Sequence, residues 1–254
     1  MDPNINDSLR ASPVSAQQPL PYRKIGIILI FVLIAVGVMI GLFLRDSQSG
    51  LIVNLPGNHS KGIGVSPTPM PYAELTIPYL RNREYSSTLH ERQVYSNGST
   101  YTSYLTSYDS DGLKINGLLT IPTTEMPEGG YPAIVFVHGY IPPAQYSTTE
   151  KYADYVDYLA RNGFVVFKID LRGHGNSQGD PSGAYFSPDY VIDTLNARAA
   201  LQTSDFVNPD EVGLWGHSMA GNVVMRAMTA RPEIQAGVIW AGAVYTYTDM
   251  REYG

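Results

Sequence analysis

The sequence predicts an α/β fold: a mostly parallel sheet with helices on both faces. Three observations carry this. A Thr- and Tyr-rich hairpin occupies residues 100–121, short buried runs alternate with helix-spaced stretches from 133 to 240, and Ser218 sits where one such run turns straight into a helix.

The N-terminal elements come first. Residues 1–24 are polar, hold four prolines and lack periodicity, which predicts a disordered tail. Ile25 to Leu44 is an uncharged apolar run of twenty residues, long enough as a helix to span roughly 30 Å of hydrocarbon. It exceeds the roughly 7–15 residues of a cleaved signal core, and no small-residue cleavage site follows. A transmembrane signal anchor is expected, ahead of a buried soluble helix. Arg10, Arg23 and Lys24 precede it and Arg45 and Lys61 follow, a bias that puts the N-terminus in the cytoplasm and the main domain outside it. Residues 45–97, rich in Gly, Ser, Asn and Pro, read as a linker and lead-in segment. Asn58 and Asn97 match the short glycosylation acceptor pattern.

The remaining residues, 98–254, read as one domain. Thr100–Tyr108 and Leu113–Ile121 are strand-forming, and Asp111-Gly112 between them tolerates the positive φ of a tight hairpin. Ala133–Val137 and Phe164–Ile169 are continuous apolar runs of the kind buried on both faces of a sheet. Between them Tyr152, Tyr155, Val156 and Leu159 recur at helical spacing up to Gly163. Val191, Ile192, Leu195, Ala199 and Leu201 form a second helical stripe over 188–202. A strand over Val212–Trp215, a helix over Met219–Ala230 and a strand over Gly237–Trp240 complete the pattern.

Composition narrows the function. A net charge of −6 and a pI near 5.3 argue against nucleic-acid binding, which needs a basic face. The absence of cysteine excludes disulfides, thiolate metal sites and a thiol nucleophile. No cofactor or metal is implied.

Three motifs carry chemistry. In Val212–Gly221 (VGLWGHSMAG) a buried strand runs through G-x-S into a helix. Such an elbow lifts a serine oxygen above the sheet edge, and the helix N-terminus aims free N–H groups at the same spot. Gly216 must be small for strand and helix to pass. Ala220 stands where a second glycine is usual, and its one methyl is expected to leave the elbow intact. Phe136–Tyr140 (FVHGY) ends a buried strand, where the following loop can donate an oxyanion N–H from Tyr140. His138 reads as a hydrogen-bonded support of that loop. Asp170–Ser177 (DLRGHGNS) lacks the glycine spacing of a dinucleotide site; Asp170 and Arg172 are expected to tie a tight loop by an ion pair, with His174 structural.

HGY, DLRGHGNS and GHSMAG, in this order, resemble the α/β-hydrolase superfamily over about Gly98–Val244. The nearest likeness is to the S9-type catalytic domain of prolyl oligopeptidases and the dipeptidyl aminopeptidase or acylaminoacyl peptidase relatives. The resemblance implies Ser218 as nucleophile and the backbone N–H groups of Tyr140 and Met219 as oxyanion donors. It implies a peptide or small-molecule substrate with an ester or amide carbonyl. Peptidase and carboxylesterase both stay open, as does a non-catalytic binding protein. The about fifty residues before the first strand are too few for a propeller over the site.

The pattern breaks after the serine. The triad order on this fold is Ser, Asp or Glu, then His, yet His59, His90, His138, His174 and His217 all precede Ser218. The expectation is a C-terminally truncated domain lacking its last strands and its base. Asp249, beyond the last strand, is the candidate acid.

Overall fold

The structure is a computed structural model that describes residues 71–253. The anchor stretch Ile25–Leu44, the tail and Asn58 lie outside the described residues. Among the described residues no helix is long and apolar enough to cross a membrane.

Helix α1 (Ile77–Asn82) begins at Thr76, whose Oγ1 accepts the Tyr79 N–H, with Pro78 in the first turn where no N–H is needed. The strands are β1 (Gln93–Asn97), β2 (Tyr101–Ser110), β3 (Leu113–Pro122), β4 (Tyr131–Val137), β5 (Val165–Ile169), β6 (Val207–His217) and β7 (Gly237–Trp240). Four more helices are α2 (Ala153–Arg161), α3 (Asp189–Gln202), α4 (Ala220–Ala230) and α5 (Tyr247–Tyr253). The sheet order is β1-β2-β3-β5-β4-β6-β7.

The β1–β2, β2–β3 and β3–β5 pairs are antiparallel, whereas β4–β5, β4–β6 and β6–β7 are parallel. The sheet is therefore mixed rather than mostly parallel. The hairpin supplies the antiparallel half, and the β–α–β crossovers supply the other. Asp111 and Gly112 turn that hairpin with φ of 51° and 75°.

Packing also starts earlier than residue 98. β1 pairs with β2, and Leu80 of α1 is fully buried in the main core. The lead-in composition hid this because β1 is exposed at every position and has no apolar face to read.

Alternate residues of each central strand feed two cores. On one face Val135, Phe167, Ile169, Val212 and Leu214 meet α1, α3 and α4. On the other, Phe136, Val166 and Trp215 meet Val156 and Ala160 of α2. Helix α3 exceeds its predicted stripe. It is buried almost all round, Asp193, Thr194, Asn196 and Arg198 included. Thus its polar residues must find partners inside the protein. The C-terminal ends of β4, β5 and β6 lie together, and there the three motifs meet.

Candidate active site

Strand β6 ends at His217 and α4 begins at Ala220, leaving Ser218 and Met219 to make the whole turn. Ser218 takes φ 51°, the left-handed region that a residue with a Cβ adopts only under constraint. The constraint is visible: the Ser218 N–H donates to the Trp240 carbonyl at 3.1 Å. The Ser218 carbonyl accepts from Gly221 N at 2.9 Å and Ala243 N at 2.8 Å. Gly216 is required as expected, because a Cβ there would lie 2.7 Å from the Ala220 carbonyl oxygen and 2.7 Å from Val224. Ala220 is fully buried and opens α4 without breaking the turn. Gly221 meets Gly242 so closely that a Cβ would come within 2.6 Å of its Cα.

The loop after β4 approaches from the other side. Neither the Tyr140 nor the Met219 N–H is taken by an acceptor among the described residues. The Tyr140 side chain is exposed. Among the described residues no group hydrogen-bonds to the Ser218 hydroxyl.

Two histidines brace these loops. His138 is fully buried, its Nδ1 is 2.7 Å from the Gly139 carbonyl, and burial pushes its pKa down to about 3. It stays neutral, as a loop support should. The His174 ring reaches the carbonyls of Arg172 and Ile141 at 3.2 Å each, tying the glycine-rich loop to the loop that carries Tyr140.

The expected Asp170–Arg172 ion pair is not formed. Arg172 instead meets Asp193 of α3 at 2.7 Å and Asp189 at 2.9 Å. Asp170 accepts from the Tyr146 hydroxyl at 2.8 Å and the Thr148 hydroxyl at 2.6 Å. Burial raises the Asp170 pKa, and it lowers that of Lys168, also buried, to about 8. Residues two apart share a face in an extended strand, so the left-handed Leu171 between Asp170 and Arg172 breaks the alternation that would have brought them together. Leu171 at φ 43° and Gly173 at φ 74° turn the backbone between them and the next motif.

Asp249 has a local role. Its Oδ2 accepts from the N–H and hydroxyl of Thr246 at 2.8 Å each, and its own N–H donates to Thr246 Oγ1 at 3.1 Å. This reciprocal cap at the start of α5 occupies the carboxylate without any histidine, and it draws the Asp249 pKa down. The site residue that sequence reasoning passed over is Tyr152. Its helical spacing suggested a packing position, but it stands just outside α2, with its hydroxyl between Gly139 N at 2.9 Å and His217 Nδ1 at 2.7 Å.

A cavity of about 460 Å³ opens beside this cluster, lined by Ile141, Tyr152, Tyr155 and His217 with Glu150, Lys151 and Asp154 among its other lining residues. Among the described residues no group of three or more His, Asp or Glu could hold a metal ion.

Residues 131–252 match the family described as serine aminopeptidase, S33. The thiohydrolase aneE of Aspergillus aculeatus is 29% identical over 117 residues, 46% of this chain and 34% of that protein. The quorum-quenching protein AidA of Acinetobacter baumannii is 28% identical over 132 residues, 52% of this chain and 41% of that protein. These matches span less than half the length of either relative. The solved acetyl xylan esterase from Paenibacillus sp. R4 superposes with a TM-score of 0.50 at 19% identity, covering 63% of this chain and 55% of that one. That last similarity is one of fold. The family match is of the S33 type, where the motifs had led to an S9-type expectation.

Proposed function

We propose, from the α/β-hydrolase fold that this chain has, that it is a serine hydrolase acting by acyl transfer through Ser218. The observation that carries the proposal is the serine at φ 51° on a strand-to-helix turn, together with the Tyr140 and Met219 N–H groups that have no acceptor among the described residues. In this reading the Ser218 Oγ attacks the substrate carbonyl carbon and gives up its proton to a base. The N–H groups of Tyr140 and Met219 hold the oxyanion. Collapse expels the alcohol, thiol or amine with a proton, and water then cleaves the acyl-serine.

The substrate we favour is a small ester or thioester. The cavity lined by Tyr152 and His217 is modest in size, and the similar proteins include an acetyl xylan esterase and a thiohydrolase. The match to a serine aminopeptidase family keeps a second reading, hydrolysis of a short peptide amide. The narrower S9-type assignment rests on the motifs alone. We further propose that Ile25–Leu44 anchors the protein in a membrane with the hydrolase domain outside the cytoplasm, since its length and flanking charges fit that placement. Extraction by alkaline carbonate, which releases peripheral proteins only, would overturn it.

Turnover of p-nitrophenyl acetate, an acyl thioester and an aminoacyl p-nitroanilide, each with a Ser218→Ala control, tests the mechanism. Faster ester and thioester turnover is expected, lost in the control. Equal rates in the control would sink the serine mechanism, and turnover of the anilide alone would favour the peptidase.

A further inference from the structure

The Tyr152 side chain touches both loops of the proposed site. Its hydroxyl meets Gly139, the residue before Tyr140, and His217, the residue before Ser218. We infer that Tyr152 is a positioning residue, whose hydroxyl bolts the oxyanion loop to the serine turn so that donor and nucleophile keep one spacing. The inference rests on the serine hydrolase reading above.

The proton count makes the bolt directional. A phenol has one hydrogen. Its oxygen accepts the Gly139 N–H, so its own hydrogen is free to go to His217 Nδ1 in the tautomer that carries the ring's single N–H proton on Nε2. Both ends are thereby satisfied, and rotating either loop breaks one of them.

Two further features are costly for the fold and fit that contact. Tyr152 takes φ 61° and ψ 21° immediately before α2, with no side-chain cap to gain from it. An aromatic residue in the left-handed region is uncommon, and such strain collects where function demands a particular side-chain direction. Gly139 has no room for a side chain: a Cβ would lie 2.8 Å from the Tyr152 hydroxyl, 3.0 Å from His217 Nδ1 and 3.1 Å from the His217 carbonyl. The three groups are packed to contact.

The floor beneath is stiff. Phe136 of β4 stacks on Trp215 of β6 with ring centroids 4.0 Å apart, and Tyr152 meets Phe136 edge-on at 5.4 Å. These two strands lead into the two loops. The ring sets the height of the hydroxyl, and the hydroxyl sets the loops. Tyr152 and His217 also line the same cavity.

The test is Tyr152→Phe in the protein expressed from its own gene, read as kcat and KM separately on the best ester substrate. Affinity for a boronic acid that mimics the tetrahedral state is measured beside them. A fall in kcat of roughly tenfold or more, with KM nearly unchanged, is the expected result, since a small misplacement of reacting groups costs rate rather than binding. Boronate affinity should fall by a similar factor. In a His217→Ala background the same substitution should cost far less, because the two residues act as a unit. Unchanged kcat beside an inactive Ser218→Ala variant would overturn this inference alone. So would a fall in kcat that only tracks the loss of folded protein. Full turnover by Ser218→Ala would instead overturn the hydrolase reading on which it stands.

Discussion

The backbone N–H of Ser218 donates to the carbonyl of Trp240 at 3.1 Å, so the serine turn is held by the last strand as well as by its own. The return contact runs from Ala243 N to the Ser218 carbonyl at 2.8 Å. Strand β7 therefore does more than extend the sheet: it clamps a left-handed residue in place.

That strain should be measurable. Ser218→Gly removes the Cβ that makes φ 51° costly, and it is expected to raise stability by about 1 kcal/mol while abolishing turnover. Denaturant melts of the two proteins check it, and a variant less stable than the parent would contradict it.

Close approach sets the second prediction. Gly216→Ala places a methyl 2.7 Å from the Ala220 carbonyl oxygen, a backbone atom that cannot swing aside. A loss of about 1–3 kcal/mol is expected. Gly183→Ala is the control, since nothing lies within 4 Å of its Cβ position; it should stay within about 0.5 kcal/mol of the parent.

Gly139→Ala should behave differently. Its methyl would press on the Tyr152 hydroxyl at 2.8 Å and His217 Nδ1 at 3.0 Å, side-chain atoms that can yield, while the His217 carbonyl oxygen at 3.1 Å has only a small distance to give. The expected result is a kcat loss of roughly tenfold or more with little change in melting temperature. Parallel activity assays and thermal melts would show it.

The ion cluster under the glycine-rich loop supports a fourth expectation. The Asp193 carboxylate, fully buried, accepts from the Arg172 backbone N–H at 3.0 Å, from its guanidinium at 2.7 Å, and from the Ser110 hydroxyl at 2.7 Å. Asp193→Ala leaves Arg172 paired with Asp189 and Asp111 but takes the acceptor from its backbone N–H and from Ser110, and should cost about 1–3 kcal/mol. Urea unfolding measures it, with Asp193→Asn expected to lose less.

Buried His138 sets a pH dependence. Burial holds it at about 3 against an ordinary 6.5, so the folded state refuses a proton that the unfolded chain accepts. Its contribution is complete above about pH 6.5 and is lost as pH falls toward 3, by roughly 3–5 kcal/mol in all. The difference between stability–pH curves of the parent and His138→Gln isolates this group from the buried carboxylates. A difference that does not change between pH 7 and 4 would refute it.

Most of the site's frame was legible along the chain. G-x-S between the buried strand run Val212–Trp215 and a helical stripe marks the elbow because so little chain between strand and helix forces a sharp turn, and FVHGY marks a loop at a strand end. Tyr152 was not legible. Its place at helical spacing with Tyr155 and Val156 makes it look like packing, and only the left-handed turn before Ala153 redirects it. Arg172 was legible as a loop anchor but not in its partner, since Asp193 lies twenty-one residues away on a helix.

By itself the sequence determined the local elements: the hairpin at Asp111-Gly112, the buried strands, the serine turn and the need for Gly216. Each depends on contacts within a few residues or on a period that a strand or helix imposes. Only the tertiary structure decided that the sheet is mixed, that packing reaches back to Leu80, that Arg172 pairs with Asp193, and that the Tyr152 hydroxyl joins Gly139 to His217. Those outcomes turn on which distant groups arrive at the same place, and strand order, not spacing along the chain, sets that.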